Sequence, residues 1–133
     1  MTPLLDASLV FARDVQVYLL KLAAGEIKAS THERARAARD GYLGGIEQTL
    51  TPSRPFLVCE SLTLADICFA AELALLSAER VQRKLLDEAA LPPLYGDDLC
   101  TTHPRATSHF DRLCAHPAFE PDLGRYLAKL AAH

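Results

Sequence analysis

Ser61-Leu62-Thr63-Leu64-Ala65-Asp66-Ile67 decides the fold. It opens a run in which every residue from Leu64 to Leu76 is apolar except Asp66 and Glu72. Thr63 stands as N-cap, with a hydroxyl able to accept from the N–H of residue 65 or 66. Asp66, at N3, can accept from the N–H of Thr63, which makes a capping box with Asp in place of the commoner Glu or Gln. Leu62 and Ile67 occupy the N′ and N4 positions of a hydrophobic staple. A helix apolar nearly all round belongs in the middle of a bundle, so this helix is predicted to be central. Losing the Thr63 cap should cost about 0.5–2 kcal/mol. On the capping box alone, Asp66→Ala should cost a comparable amount, with the double variant less than additive.

Downstream, Leu76, Val81, Leu85 and Leu86 carry a helical period through the charged stretch from Glu79 to Lys84. The helix therefore either runs to about residue 88 or breaks near Ser77. Leu91-Pro92-Pro93-Leu94-Tyr95-Gly96-Asp97-Asp98 has turn chemistry. Pro104 suits the first turn of another helix, whose stripe is Ala106, Phe110, Leu113 and Cys114 and whose stop is Pro117. A last helix beginning near Pro121 turns Leu123, Leu127 and Leu130 inward.

Upstream, Phe56-Leu57-Val58-Cys59 finds no strand partner with alternating pattern and reads as a packed loop. A helix capped by Ser30 or Thr31 buries Ala35, Ala38, Tyr42, Ile46 and Leu50, and Arg34, Arg36, Arg39 and Asp40 make its solvated side. Gly41, Gly44 and Gly45 each cost about 1 kcal/mol of helix propensity and mark a close approach or a bend. The first helix, residues 5–23, has one apolar face of Leu5, Leu9, Ala12, Val15, Leu19 and Leu22 and a second of Phe11, Val15, Tyr18 and Leu22. That is more apolar surface than one neighbour covers. Gly25 closes the helix in the left-handed region. The expected architecture is all-α, a bundle of five or six helices forming a single domain over residues 1–133.

Composition narrows the function. The 133 residues suffice for a core without disulfides or metal. A net charge of −3 gives no electrostatic reason for nucleic acid or an anionic membrane as a partner. The N-terminus lacks the basic start and apolar core of a secretory signal, and no apolar run reaches the roughly 18 residues of a membrane span. The cysteines, Cys59, Cys68, Cys100 and Cys114, show no CxxC spacing. They read as thiols in a reducing compartment, and a cytoplasmic location is expected. Cys68, on the apolar helix, reads as a small buried hydrophobe, and Cys59 as the exposed one.

Cys100, His103, His109, Cys114 and His116 invite a zinc reading, but their spacing fits no finger or ribbon. His109 and Cys114 diverge on one helix, and no metal site is expected. No cysteine sits on a strand-to-helix elbow, and no glycine-rich loop follows a strand. Aromatic residues at helical spacing are usually core, which is the simple reading of Phe11 and Tyr18. Asp66 has a structural role in the capping box, and no catalytic residue is assigned.

Leu62-Thr63-Leu64-Ala65-Asp66-Ile67 with its apolar helix resembles the N-capping box of the glutathione transferase C-terminal domain. His103-Pro104, then Phe110-Asp111-Arg112-Leu113, then His116-Pro117-Ala118-Phe119 resemble that family's penultimate helix and its closing proline. The order of elements agrees over roughly residues 4 to 130. The resemblance implies a helical domain that normally follows a thioredoxin-like domain, where the glutathione site and the activating Tyr, Ser or Cys mainly lie. Met1 stands almost directly on the first bundle helix, so that half is not expected here. The domain is then non-catalytic on its own, without a cofactor, and meets glutathione only if a thioredoxin-like partner domain is supplied. By position, Phe11, Asp14 and Tyr18 would form one wall of a hydrophobic cosubstrate pocket. The alternative is a free-standing interaction module, as in translation elongation factor subunits and aminoacyl-tRNA synthetase scaffolds. Such a module would form a homodimer or a heteromer with another glutathione transferase-like domain.

Overall fold

The computed structural model describes residues 3–50, 56–57, 63–96 and 98–131. In chain order the elements are α1 (Pro3–Ala23), α2 (Ala29–Thr49), α3 (Leu64–Ser77), a 3-10 turn (Ala78–Gln82) and α4 (Arg83–Glu88). They are followed by α5 (Leu99–Thr102), α6 (Pro104–Cys114), a π turn (Glu120–Gly124) and α7 (Arg125–Ala131). Continuous runs make six helical units, with no strand among the described residues. The chain is an all-α bundle.

The α1–α2 link is short because α1 ends in a Schellman motif. Glu26 N–H reaches Lys21 O at 2.9 Å and Gly25 N–H reaches Leu22 O at 3.0 Å, with Gly25 at φ +73°. The two helices therefore fold back as neighbours and form the largest helix pair in the bundle. The same motif ends α4: Leu91 N–H bonds Leu86 O and Ala90 N–H bonds Asp87 O, but here an alanine carries the positive φ, 56°. At α2, Lys28 is the N-cap and makes no side-chain cap bond, so neither Ser30 nor Thr31 takes that role. Gly41 and Gly44 have open space where a Cβ would project, and α2 runs unbroken past them. They mark no close approach of another element.

The core joins Phe11, Val15, Tyr18 and Leu22 of α1 to Tyr42, Leu43 and Ile46 of α2, Phe69, Leu73 and Leu76 of α3, and Phe110 and Leu113 of α6. The second of the two apolar faces read in α1 is thus the buried one. Leu9, from the other face, lies outside. A corresponding correction applies to α3. Leu64, Ile67 and Leu75 are exposed, as is Cys68, so one side of this apolar helix is left uncovered. The continuation beyond α3 changes pitch at Ser77, where the 3-10 turn begins.

At the head of α3, Thr63 is extended (φ −131°, ψ 174°) and the capping-box arrangement is present. Its well-formed half is the carboxylate: Asp66 Oδ2 accepts from Thr63 N–H at 3.0 Å and from the Thr63 hydroxyl at 3.2 Å. Leu62, one half of the expected staple, lies outside the described residues, as does Cys59. Ile67, the other half, is exposed. Phe56 and Leu57 form a bend, with Leu57 in the core. The start of α6 is tied to the end of α2, since Arg105 Nη1 donates to Leu50 O at 2.9 Å and Glu47 accepts from Ala106 N–H at 2.5 Å.

Candidate functional site

Three buried polar nodes and one exposed apolar face stand out. The first node is built on Asp66, which has no exposed surface. Besides the Thr63 groups, its Oδ1 accepts from Leu57 N–H at 3.1 Å and from His109 Nε2 at 2.9 Å. Arg112 Nη2 lies 3.1 Å from His109 Nδ1. A guanidinium can only donate, so Nδ1 is the acceptor and the ring proton sits on Nε2, facing Asp66. His109 stacks on Phe69 with centroids 5.5 Å apart. Burial pushes the imidazole below its ordinary value, against the pull of the Asp66 hydrogen bond and charge, and Arg112 adds to the lowering. The dyad is a neutral histidine on a buried carboxylate. Through Leu57, Thr63 and His109 it is a core device that locks the segment before α3 and α6 onto one another.

The second node is Glu79, also fully buried. It accepts from Tyr18 Oη at 2.6 Å, Leu94 N–H at 2.7 Å and Tyr95 N–H at 3.0 Å. Loop 91–96 is fastened on its other edge by His32 Nε2 to Pro92 O at 2.7 Å, Arg39 Nη1 to Leu94 O at 2.7 Å and Arg83 Nη2 to Tyr95 O at 3.2 Å. Arg39 is therefore buried in a structural role and is no part of the solvated side of α2. The Tyr18 phenol is driven far above its usual range, by burial first and then by the charge and hydrogen bond of Glu79.

The third node brings Ser8, Tyr42 and Glu72 together between α1, α2 and α3. The Ser8 hydroxyl donates to Glu72 Oε1, and Tyr42 bonds the same carboxylate. Burial raises the Glu72 carboxyl above its ordinary value. These nodes explain two charged residues that the sequence leaves unplaced. Glu72 and Glu79, seven apart, sit within or just after an apolar run. A carboxylate there needs partners, and that need is the signal by which they could have been found.

Phe11 and Tyr18, the expected wall of a cosubstrate pocket, have no exposed surface. They would reach a cosubstrate only if the bundle opened. Asp14 is at the margin, nearly buried, with its Oδ1 3.2 Å from Arg13 Nε. What α1 turns outward is different: Leu9 (59% exposed), Val10 (41%), Val17 (44%) and Leu20 (65%). These fall on one side of the helix around Arg13 and Gln16, with Asp6 at the N-terminal end and Lys21 at the C-terminal end, all exposed. Of these four, Leu9 belongs to an apolar face that the sequence pattern marks on α1, and Val10, Val17 and Leu20 do not.

The cysteine and histidine residues near the C-terminus do not converge. His109 is in the first node, His103 Nδ1 meets the Thr102 hydroxyl at 2.9 Å, and His116 Nδ1 accepts from Ala118 N–H at 3.1 Å. Among the described residues no group of three or more His, Cys, Asp or Glu is placed to hold a metal ion. Burial raises the Cys114 thiol, with Asp111 adding to the rise, which makes it a poor nucleophile at neutral pH. Among the described residues no helix is long and apolar enough to cross a membrane.

No curated protein and no solved structure matches the chain significantly. The family model described as "Glutathione S-transferase, C-terminal domain" matches residues 6–117, from the first turn of α1 to the proline after α6. That span contains every buried node described above, and the chain belongs to the glutathione S-transferase C-terminal domain family.

Proposed function

We propose that this chain is a binding domain, not a catalyst on its own, and that it meets a second helical domain of its own kind through the outer face of α1. The observation that carries this reading is the stripe Leu9, Val10, Val17 and Leu20, exposed on a helix whose opposite face is fully packed. Contiguous exposed apolar surface of this sort marks an interaction site. A second copy fits it by symmetry. When two α1 helices run antiparallel about a two-fold axis near residues 14 and 15, Leu9 lies opposite the partner's Leu20 and Arg13 opposite the partner's Gln16. The two acid–base ends then meet as Asp6 and Lys21, opposite in sign, whereas parallel helices would oppose like charges. Lys21 is available for this, since its contact with Glu26 is long, 3.6 Å, and both groups are exposed. Such a self-complementary patch is the requirement of a two-fold dimer.

Light scattering coupled to size exclusion tests the proposal: the wild type is expected as a dimer and Leu20→Glu as a monomer with unchanged helicity. A wild type that stays monomeric at high concentration would remove the homodimer. A second reading has the same face covered by a thioredoxin-like domain, with Arg13 and Asp14 bordering a cosubstrate pocket. The Arg13–Asp14 pair beside the stripe favours it. Calorimetry separates the two: glutathione binding on addition of a thioredoxin-like domain supports the second reading, and glutathione binding by this chain alone would overturn both.

A further inference from the structure

Glu72 joins α1, α2 and α3 through polar groups, and its two oxygens are served unequally. Oε1 accepts from the Ser8 hydroxyl of α1, and the Tyr42 hydroxyl of α2 bonds the same carboxyl. Oε2 is buried and, among the described residues, has no hydrogen-bond partner. The other two buried acids differ in this respect. Asp66 takes two hydrogen bonds on each oxygen, and Glu79 takes two on Oε2 and one on Oε1. The groups acting on Glu72 are the neutral hydroxyls of Ser8 and Tyr42, and Cys68, one turn earlier on α3, acts on Tyr42 in turn. Among the described residues no cation acts on Glu72. A buried charge without a cation and with one oxygen bare is poorly compensated. The protonated carboxyl suits the node better: it carries a neutral O–H at Oε2 and still offers Oε1 to the hydroxyls. Burial raises this carboxyl above its ordinary value, in the same sense. Beside the node, Phe11 of α1 has no exposed surface and lies against Tyr42, with ring centroids 5.1 Å apart.

We propose that Glu72 is a proton-operated latch between α3 and the N-terminal half of α1: the protonated carboxyl holds the two helices closed, and loss of its proton to solvent water favours an opening that uncovers the Phe11–Tyr42 ring pair. Opening lets water reach both oxygens of the carboxylate, which is what the ionised form lacks when closed. The direction follows from linkage. In the opened state Glu72 titrates at its ordinary value of 4.5, whereas the closed state keeps the proton to higher pH. The opening equilibrium is therefore flat below that value, rises by up to tenfold per pH unit above it, and levels off once the closed-state value is passed. This is opposite in sign to the dependence set by His109, which bears on α6 and the segment before α3. Ser8 and Glu72 face inward, so the latch stands or falls separately from any partner on the outer stripe of α1.

Amide hydrogen exchange of the full chain, followed by NMR between about pH 4 and pH 8, reads the opening residue by residue once each rate is corrected for intrinsic exchange. Amides of residues 8–15 are expected to lose protection by up to tenfold per pH unit within the window, while those of α6 do not. Glu72→Gln keeps the shape of the carboxyl and cannot ionise. It should hold residues 8–15 at a protection independent of pH. Ser8→Ala removes a hydrogen bond that favours the anion more than the acid, so the rise should continue to higher pH than in the wild type. This second variant keeps the test open if Glu72→Gln fails to fold. A flat wild-type profile, loss of protection in α1 and α6 together, the wild-type slope persisting in Glu72→Gln, or an unmoved window in Ser8→Ala would each overturn the proposal.

Discussion

Replacing Asp66 by alanine is expected to cost far more than removing the cap it shares. Its carboxylate takes four hydrogen bonds, from Thr63 N–H, the Thr63 hydroxyl, Leu57 N–H and His109 Nε2. Alanine leaves the Leu57 N–H and the buried imidazole N–H without an acceptor, at roughly 1–3 kcal/mol for each orphaned group. Loss of the cap bond adds about 1 kcal/mol. Allowing for partial relaxation and some water entry, the total is about 3–5 kcal/mol. Thr63→Ala removes only the hydroxyl and should stay within about 0.5–2 kcal/mol. In urea, a slope of about 2 kcal/mol per molar turns the Asp66→Ala loss into a midpoint shift of about 2 M, against less than about 1 M for Thr63→Ala. A coupling cycle with His109→Ala should show that much of the Asp66 cost disappears once the imidazole is gone. If Asp66→Ala moves the midpoint no further than Thr63→Ala, the four-bond account is wrong and Asp66 is merely a capping residue.

Three other outcomes are expected. The folded state holds His109 below its ordinary value of 6.5, so the unfolded chain binds the extra proton first. Stability should be full above that value and fall as pH drops below it, levelling off once the folded-state value is passed. His109→Phe should flatten this limb in urea melts at successive pH values. At the alkaline end, Tyr18 and Tyr42 are both held far above the ordinary value of 10.0, chiefly by burial. Above about pH 10 the unfolded chain gains by ionising while the folded chain cannot. Absorbance at 295 nm should therefore show these two phenols titrating only together with loss of helical circular dichroism. Finally, Gly25 and Ala90 occupy the same left-handed position in two Schellman motifs. Gly25→Ala should lower stability by about 1 kcal/mol, and Ala90→Gly should raise it by up to about 1 kcal/mol, both read as shifts in thermal midpoint.

Local chemistry made much of the fold legible. The Thr63–Asp66 pair, Gly25 and Pro104 each act within a turn of themselves, and the structure has them where the sequence puts them. Ala35, Ala38, Tyr42 and Ile46 of α2 and Ala106, Phe110 and Leu113 of α6 follow from period, whereas the buried His32, Arg39, Leu43 and His109 do not. What failed needed knowledge of neighbours. Leu9 and Phe11 are both apolar at helical spacing, and only the position of α2 decides which is covered. Cys68 looked buried because its helix is apolar throughout, yet no element lies on that side among the described residues. Each of Asp66, Glu72 and Glu79 has a partner far away in sequence, His109 at 43 residues, Ser8 at 64 and Tyr18 at 61. Periodicity is silent about contacts of that range. The candidate interaction face was legible only as a surplus of apolar residues on α1.

Loop 91–96 is gripped by its peptide groups. His32, Arg39 and Arg83 hold carbonyls, and Glu79 holds two amides. Peptide groups are common to all residues, so the usual map of mutational tolerance should be inverted here. Side chains within the loop are interchangeable to the extent that they pack poorly: the exposed Pro92 can be exchanged more freely than Leu94, which is in the core, or Gly96, where a Cβ would lie 3.1 Å from Asp98 Oδ1. The four anchoring residues, spread over three other elements, cannot be exchanged. A saturation library would show a permissive loop whose fixed positions lie elsewhere in the chain.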